Sequence, residues 1–215
     1  MSLSEKEETF FYIMRNELNQ LTTLLPFTPK TFMEIGSRDG EDTDYVAKFW
    51  KLAPEDCHII EAYPQLAEQM KQKYPYNVHS FAASHENGEA KFNAVVSEHA
   101  DRVGMSSLLD HNIYHNKINV ITVETKRMDS FLTTPIDLIK LDVEGHAYSV
   151  LVGFGDKLKD VKAIQVETEK SELWKGQKTH EDVKSLLESF GFELVSIFDA
   201  WDAQYDCLFV NKAAI

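Results

Sequence analysis

Three short segments of this chain carry side chains whose types and spacing could do chemistry. The first is Glu34-Ile35-Gly36-Ser37-Arg38-Asp39-Gly40, which ends an apolar run and opens a helical one. Gly36 lets the backbone turn sharply and lets a ligand come close. The helix that follows begins with free N–H groups. The spacing is not that of the dinucleotide pattern G-x-G-x-x-G, because Ser37, Arg38 and Asp39 separate two glycines four apart. Glu34, Asp39, Glu41 and Asp42 surround the turn with negative charge, which disfavours a pyrophosphate and suits a cation. A sulfonium bearing an α-amino group is such a ligand. The plain alternative is a strand-to-helix turn with no ligand.

The second segment is Ile59-Ile60-Glu61-Ala62. A carboxylate at the end of a second strand can accept both ribose hydroxyls of a nucleoside cofactor. Glu61 therefore marks adenosine without saying which adenosine cofactor, and a solvated strand-end carboxylate is its alternative. The third segment is Ile139-Lys140-Leu141-Asp142-Val143-Glu144-Gly145-His146. Two carboxylates follow a strand expected in the middle of a sheet, where reacting groups gather. Continued strand geometry would put Asp142, Glu144 and His146 on one face, able to bind a metal, hold a substrate or take its proton. Gly145 is expected to start a helix and break that alignment. With no second ligand cluster in the sequence, no metal ligands are assigned.

These segments need elements to position them, and the chain supplies an alternation of strands and helices. Apolar strand patterns run over 31–36, 57–62, 77–83, 136–142 and 161–167, with two closing strands near 192–198 and 206–211. Helical patterns cover 42–52, 64–73, the stretch after Asp142 to about Leu151, and 180–190. Such alternation predicts an α/β fold with a doubly wound, mostly parallel sheet, and the short link before the last strand suits an antiparallel closing pair. Ligands of such sheets bind at the carboxyl ends of the strands, where the three segments fall. Residues 84–130 break the alternation with two strand patterns, 90–96 and 119–125, around a polar connection. We expect a β-hairpin insertion there, either a lid or a surface excursion. Residues 1–28 read as a helical segment packed on a main domain of 29–215, with Phe10, Ile13, Met14, Leu18, Leu21 and Leu25 at helical spacing.

Composition narrows the class. The 215 residues carry a net charge of −13, which repels phosphate backbones and argues against a nucleic-acid partner. No apolar run approaches a membrane span and no signal-like start is present, so a cytoplasmic location is expected by default. Cys57 and Cys207 fall in apolar strands and read as reduced core residues.

Taken together, EIGSRDG, IIEAYP, FAAS, TKRMDSFL, IDLIKLDVEGHAYSVLVGF and AIQVE resemble the FkbM-like methyltransferases from Thr31 to Glu167, with a tail to Gly191. The resemblance implies a class I, Rossmann-like fold with a seven-stranded sheet, S-adenosylmethionine as cofactor, and methyl transfer, usually to oxygen, on sugars, glycolipids or natural products. Carried over, Glu34, Gly36 and Arg38, with the adjoining Ser37 and Asp39, match the first cofactor loop. Glu61, followed by Ala62, matches the ribose acid. Ala82, Ala83 and Ser84 match the segment near the adenine, and Asp142, Glu144 and Gly145 match the fourth-strand motif. Ser37 stands where the family often has alanine, Arg38 where it often has asparagine, and Ala147 where glutamate is common.

Asp142, Glu144 and His146 are the candidate general bases for a hydroxyl nucleophile, and Asp142 is alternatively a partner for the cofactor's amino group. Trp174 could wall the acceptor site or anchor the loop that carries it. Arg102, Met105, Ser106 and Ser107 are candidate acceptor contacts from the insertion. His111 and His115 make a poor zinc signal without further ligands; His85 and His99 read as solvated and His180 as a helix-start residue. A small-molecule or carbohydrate acceptor is the expected partner, and a homodimer is compatible with the sequence. Three rivals remain at this point: a nicotinamide-dependent oxidoreductase, against which the missing third glycine and the acidic first loop count; a cofactor-binding module without catalysis, to which Arg38 and Ala147 draw attention; and a methyltransferase for nucleic acid or protein, the former disfavoured by the net charge.

Overall fold

All four side chains of β1 (Phe32–Ile35) are buried, as are all four of β7 (Leu138–Leu141). Strands with no solvent-facing side need cover on both faces of their sheet. The computed structural model describes residues 18, 21–96, 104–111, 118–201 and 203–215, and in it that cover is present. On one face Met33, Ile35, Ile139, Leu141, Ile164 and Val166 pack with Val150, Leu151 and Phe154 of one helix and Val183 and Leu187 of another. On the other, Phe32, Leu138, Ala163 and Leu208 pack with Val46, Leu18 and Leu21. Each such side chain contributes about 1.5–3 kcal/mol by leaving water.

The elements follow one another as β1, α1 (Glu41–Trp50), β2 (Cys57–Glu61), α2 (Pro64–Lys73), β3 (Asn77–Ser80), β4 (Ala82–Ala83), β5 (Gly88–Val95), β6 (Ile118–Lys126), α3 (Met128–Phe131), β7, α4 (Ala147–Phe154), β8 (Ala163–Glu169), α5 (His180–Ser189), β9 (Phe192–Trp201) and β10 (Gln204–Asn211). Seven strands form one sheet in the order β3-β2-β1-β7-β8-β10-β9. The pairs β1–β2, β1–β7, β2–β3 and β7–β8 are parallel. β10 runs antiparallel to both neighbours. The strand order reverses between β1 and β7, which makes the ends of these two strands the switch point and the natural ligand crevice. This is the class I methyltransferase fold expected from the sequence, with its antiparallel last strand.

Several boundaries differ from the expectation, each for a packing reason. The strand expected over 77–83 is two strands. Phe81, 3% exposed, turns into the main core, and the chain leaves the large sheet at that point. Ala82 and Ala83 then pair in parallel with Thr125 and Lys126 of β6. The strand expected over 161–167 runs on to Glu169, because β10 continues to pair with it through Thr168 and Glu169. α3, a single turn, was not anticipated. The insertion is a hairpin: β5 and β6 pair antiparallel from Gly88↔Thr125 to Val95↔Ile118, and together with β4 they form a separate three-stranded sheet.

Of the N-terminal segment, Leu18 and Leu21 are buried and the rest of 1–20 lies outside the described residues, as do His99, Arg102 and His115. Cys57 and Cys207 are free and buried. Among the described residues no helix is long and apolar enough to cross a membrane.

Candidate functional site

Three backbone contacts fix the switch point. The Gly36 amide donates to the Ile60 carbonyl (2.9 Å) and the Asp142 amide to the Ile35 carbonyl (2.9 Å), so the turns after β1, β2 and β7 meet at one edge. Gly36 has φ +82, and a Cβ there would stand 1.7 Å from the Asp142 carbonyl oxygen. Only glycine fits a position that is both left-handed and this close to another backbone. The loop then turns through Arg38, whose φ of 61 is also left-handed. That conformation costs an ordinary side chain about 1–2 kcal/mol and suits asparagine better than arginine. Arg38 is held there by an ion pair to Asp39 (2.7 Å). Ser37 Oγ accepts from the Gly40 amide (3.0 Å) and Asp39 Oδ1 from the Glu41 amide (3.0 Å), which ties the loop to the start of α1.

Glu61, 6% exposed, points its carboxylate back at this loop. Oε2 accepts from the Arg38 amide (3.0 Å) and Oε1 from the Tyr63 amide (2.7 Å). Burial raises its pKa, and these amides work against that rise by favouring the charged form. The Ser37 and Ala62 amides also favour its charged form, so the carboxylate is surrounded by backbone donors. Glu34 is buried under the loop and takes both the amide and the hydroxyl of Thr43. Its pKa is pushed up to about 8, by burial first and by the nearby Asp42 second. It therefore braces the turn from beneath. Ala62 packs against the hairpin core that contains Ala82, while Ala83 belongs to the main core. Ser84 closes the segment: its carbonyl lies 2.0 Å from where a Cβ on Gly153 of α4 would be, so α4 approaches to backbone contact.

The acids after β7 have a different setting. Glu144 is left-handed (φ 50) and Gly145 follows at φ +84, so strand geometry ends at Asp142 and the one-face arrangement of Asp142, Glu144 and His146 does not form. His146 caps α4 and its Nε2 lies 3.1 Å from Ser84 Oγ. Burial, with His85 adding to it, lowers its pKa to about 4 and keeps it neutral. The neighbour that Asp142 and Glu144 do gain is Glu167 of β8; one carboxylate oxygen from each of the three lies within 4.8 Å of the others. Burial pushes the pKa of Glu144 and of Glu167 well above the carboxylate range, and the charge of Asp142 pushes both further. Asp206, directly opposite Glu167 across the strand pair, is raised to about 7, again by burial first and Asp142 second. Lys140 lies below, paired with Asp42 (2.9 Å) and Asp142 (3.5 Å).

The hairpin reaches this loop. Ser107 Oγ donates to the Glu144 carbonyl (2.6 Å), and Ser107 bridges to Asn93 of β5. Trp174, 2% exposed, lies against Gly145, where an added Cβ would stand 3.1 Å from its ring. Trp174, His111, Asn93, Met105 and Leu109 line a shallow surface depression beside the loop. Of the expected acceptor contacts, Ser107 is thus a loop clamp and Met105 a wall of the depression.

A family model described as the methyltransferase FkbM domain matches residues 34–194, well over half of the chain. The chain belongs to the FkbM methyltransferase family. Among similar proteins is the 2-O-methyltransferase NoeI of Sinorhizobium fredii (strain NBRC 101917 / NGR234), 27% identical over 199 residues that cover 83% of this chain and 79% of NoeI. The methyltransferase FkbM of Methylobacillus flagellatus KT shares the fold with a TM-score of 0.60 at 15% identity, covering 87% of this chain and 45% of its own. The magnesium protoporphyrin IX methyltransferase of Synechocystis PCC 6803, solved with bound S-adenosylmethionine, does so with a TM-score of 0.52 at 12% identity over 99% of this chain and 85% of its own. In this FkbM-family chain the sequence reading did not single out Glu167. The signal was there: Gln165, Glu167 and Glu169 alternate along AIQVETE, a period-two polar face in a strand otherwise expected to be buried.

Proposed function

We propose that this FkbM-family chain transfers a methyl group from S-adenosylmethionine to a hydroxyl of a carbohydrate, glycolipid or natural-product acceptor. The observation that carries the reading is the junction of the Gly36 turn with the Glu61 carboxylate at the switch point, joined by the Arg38 amide at 3.0 Å. The residues present fit the cofactor. A carboxylate at the end of β2 suits vicinal ribose hydroxyls, and the acidic edge suits a cation. The cofactor, when bound, supplies an electrophilic methyl on sulfur.

The chain's own residues then bind, orient and accept a proton. Glu61 and the Gly36 loop hold the nucleoside end. Asp142 and Glu144 stand at the mouth, where a hydroxyl entering from the Trp174 depression would meet them. Burial raises the pKa of Glu144, the direction that makes its ionised form a stronger base. His146, turned to Ser84, positions the segment assigned to the adenine. The depression sets apolar Met105, Leu109 and Trp174 beside the polar Asn93 and His111, the mixed lining that an acceptor with an apolar face and polar edges would meet. NoeI, by its name an O-methyltransferase, supports oxygen as the acceptor atom.

The test is thermal stabilisation by ligand. S-adenosylhomocysteine is expected to raise the melting temperature and NAD to leave it unchanged; the reverse would overturn the reading. Glu61→Ala should weaken S-adenosylhomocysteine by about 1–3 kcal/mol, the scale of a charged hydrogen bond.

A further inference from the structure

We propose that Asp142, Glu144 and Glu167 form a site for one divalent cation that prefers oxygen ligands, such as Mg²⁺ or Mn²⁺. The geometry is the first argument. One carboxylate oxygen from each residue lies within 4.8 Å of the other two. Ions of this class hold oxygens at about 2.0–2.6 Å, so ligands on opposite sides of one ion stand about 4–5 Å apart. Three carboxylates and no sulfur or imidazole select a hard cation.

The second argument is independent of the three acids. Gln165 is 1% exposed, and neither its amide nitrogen nor its amide oxygen has a hydrogen-bond partner. It stands two residues before Glu167 on β8 and so points to the same face of the sheet, in register with Lys140 on β7. Glu169, two residues beyond and on that same face, is 2% exposed with its Oε1 likewise without a partner. Buried polar groups are rarely left so. Two of them flank Glu167 on the face that carries the acids, the setting that a hydrated cation would complete. The register sharpens the point: Glu167 and Asp206 are directly opposite one another, and like charges so placed repel. Gln204 gives Glu167 one hydrogen bond (2.7 Å), which leaves the charge in place. Lys140 is already engaged by Asp42 at 2.9 Å and reaches Asp142 only at 3.5 Å. A divalent ion would compete with protons to neutralise the remainder.

The position also gives the ion a role, and this clause rests on the methyl-transfer reading. The three acids stand where the acceptor hydroxyl would enter, so the ion would hold that oxygen and favour its deprotonated form.

The experiment is a Mn²⁺ titration of the full chain, freed of metal by chelator, followed by calorimetry and by the electron paramagnetic resonance signal of free Mn²⁺. We expect one saturable site, competed by Mg²⁺, and weakened about tenfold or more in Glu167→Gln and in Asp142→Asn. Glu167→Gln keeps the size of the side chain and Asp142 is about one-third exposed, so both are expected to fold, and melting in chelator checks each. Absence of a saturable site, or affinity in both variants equal to the parent's, overturns the proposal. So does loss of S-adenosylhomocysteine binding in Glu167→Gln without any Mn²⁺ site, because the acids would then hold the cofactor's ammonium. Mn²⁺ binding without any stabilisation by S-adenosylhomocysteine would leave the cation site standing and remove the methyl-transfer reading instead.

Discussion

On the β1–β2 side of the cleft, carboxylates are met by donors. Glu61 takes the Arg38 and Tyr63 amides, one on each oxygen, and Glu34 takes the amide and hydroxyl of Thr43. On the β7–β8–β10 side, carboxylates are met mostly by each other. Asp142, Glu144 and Glu167 converge, Asp206 faces Glu167, and Glu169 has an oxygen with no partner. The sheet is continuous across both sides, so the fold does not account for the contrast. A carboxylate whose donors come from its own backbone has its direction fixed before any ligand arrives, which is what a binding contact requires. Carboxylates crowded with few donors hold electrostatic energy that a bound cation or an accepted proton releases. On the proposed reading, one side orients the cofactor and the other takes up charge.

The largest expected effect comes from removing the place where the two sides touch. Gly36→Ala puts a Cβ 1.7 Å from the Asp142 carbonyl oxygen at φ +82. Backbone strain and overpacking together should cost about 2–6 kcal/mol, read as a lower denaturant midpoint. A variant as stable as the parent would mean that the β1 and β7 turns are not in contact.

The next effect is in the pH dependence. Glu34, though hydrogen-bonded, is raised to about 8 because burial outweighs its donors. The folded chain therefore keeps a proton that the unfolded chain releases near the ordinary carboxylate pKa, and stability falls as pH rises from there through about 8. Glu34→Gln carries no such proton, so its melting temperature should decline less than the parent's between pH 7 and 9. Parallel curves would show Glu34 charged in the folded chain and the β1–β2 side more open than described.

A paired substitution tests the contrast itself. Glu61→Gln weakens two bonds that favour a charge and should destabilise by about 1–3 kcal/mol. Glu167→Gln replaces a carboxyl that burial and Asp142 already push toward its neutral form and, in chelator, should change stability by no more than about 0.5 kcal/mol. A clear loss at Glu61 with none at Glu167 sustains the comparison; equal losses dissolve it.

The elements that carry this contrast were legible in the sequence to different degrees. α2 begins and ends where proline at its first turn and the apolar spacing placed it, and the turn at Gly36 was marked by residue type alone. These signals are local. The separation of His146 from the acids was half legible: Gly145 announced the helix, but nothing local said that the imidazole would turn to Ser84, 62 residues earlier. Glu167 was not singled out, because its importance depends on the β7–β8 and β8–β10 registers, which no single segment encodes. The break at Phe81 was missed for a related reason. Asn77–Ala83 has strand character throughout, and only the arrival of β6 beside Ala82 and Ala83 divides it between two sheets.

The smallest effect concerns how the insertion supports the acidic side. Ser107 Oγ donates to the Glu144 carbonyl at 2.6 Å, and Glu144 is the residue held in the left-handed region. Such a conformation persists only where its surroundings hold it, and Ser107, itself bridged to β5, is part of that hold. Ser107→Ala should cost about 0.5–1.5 kcal/mol of stability. The same change should weaken Mn²⁺ more than S-adenosylhomocysteine, because the loop it frees carries Asp142 and Glu144 but not Glu61. If both ligands weakened equally, the hairpin would be bracing the whole edge of the sheet, and the two sides of the cleft would be mechanically one.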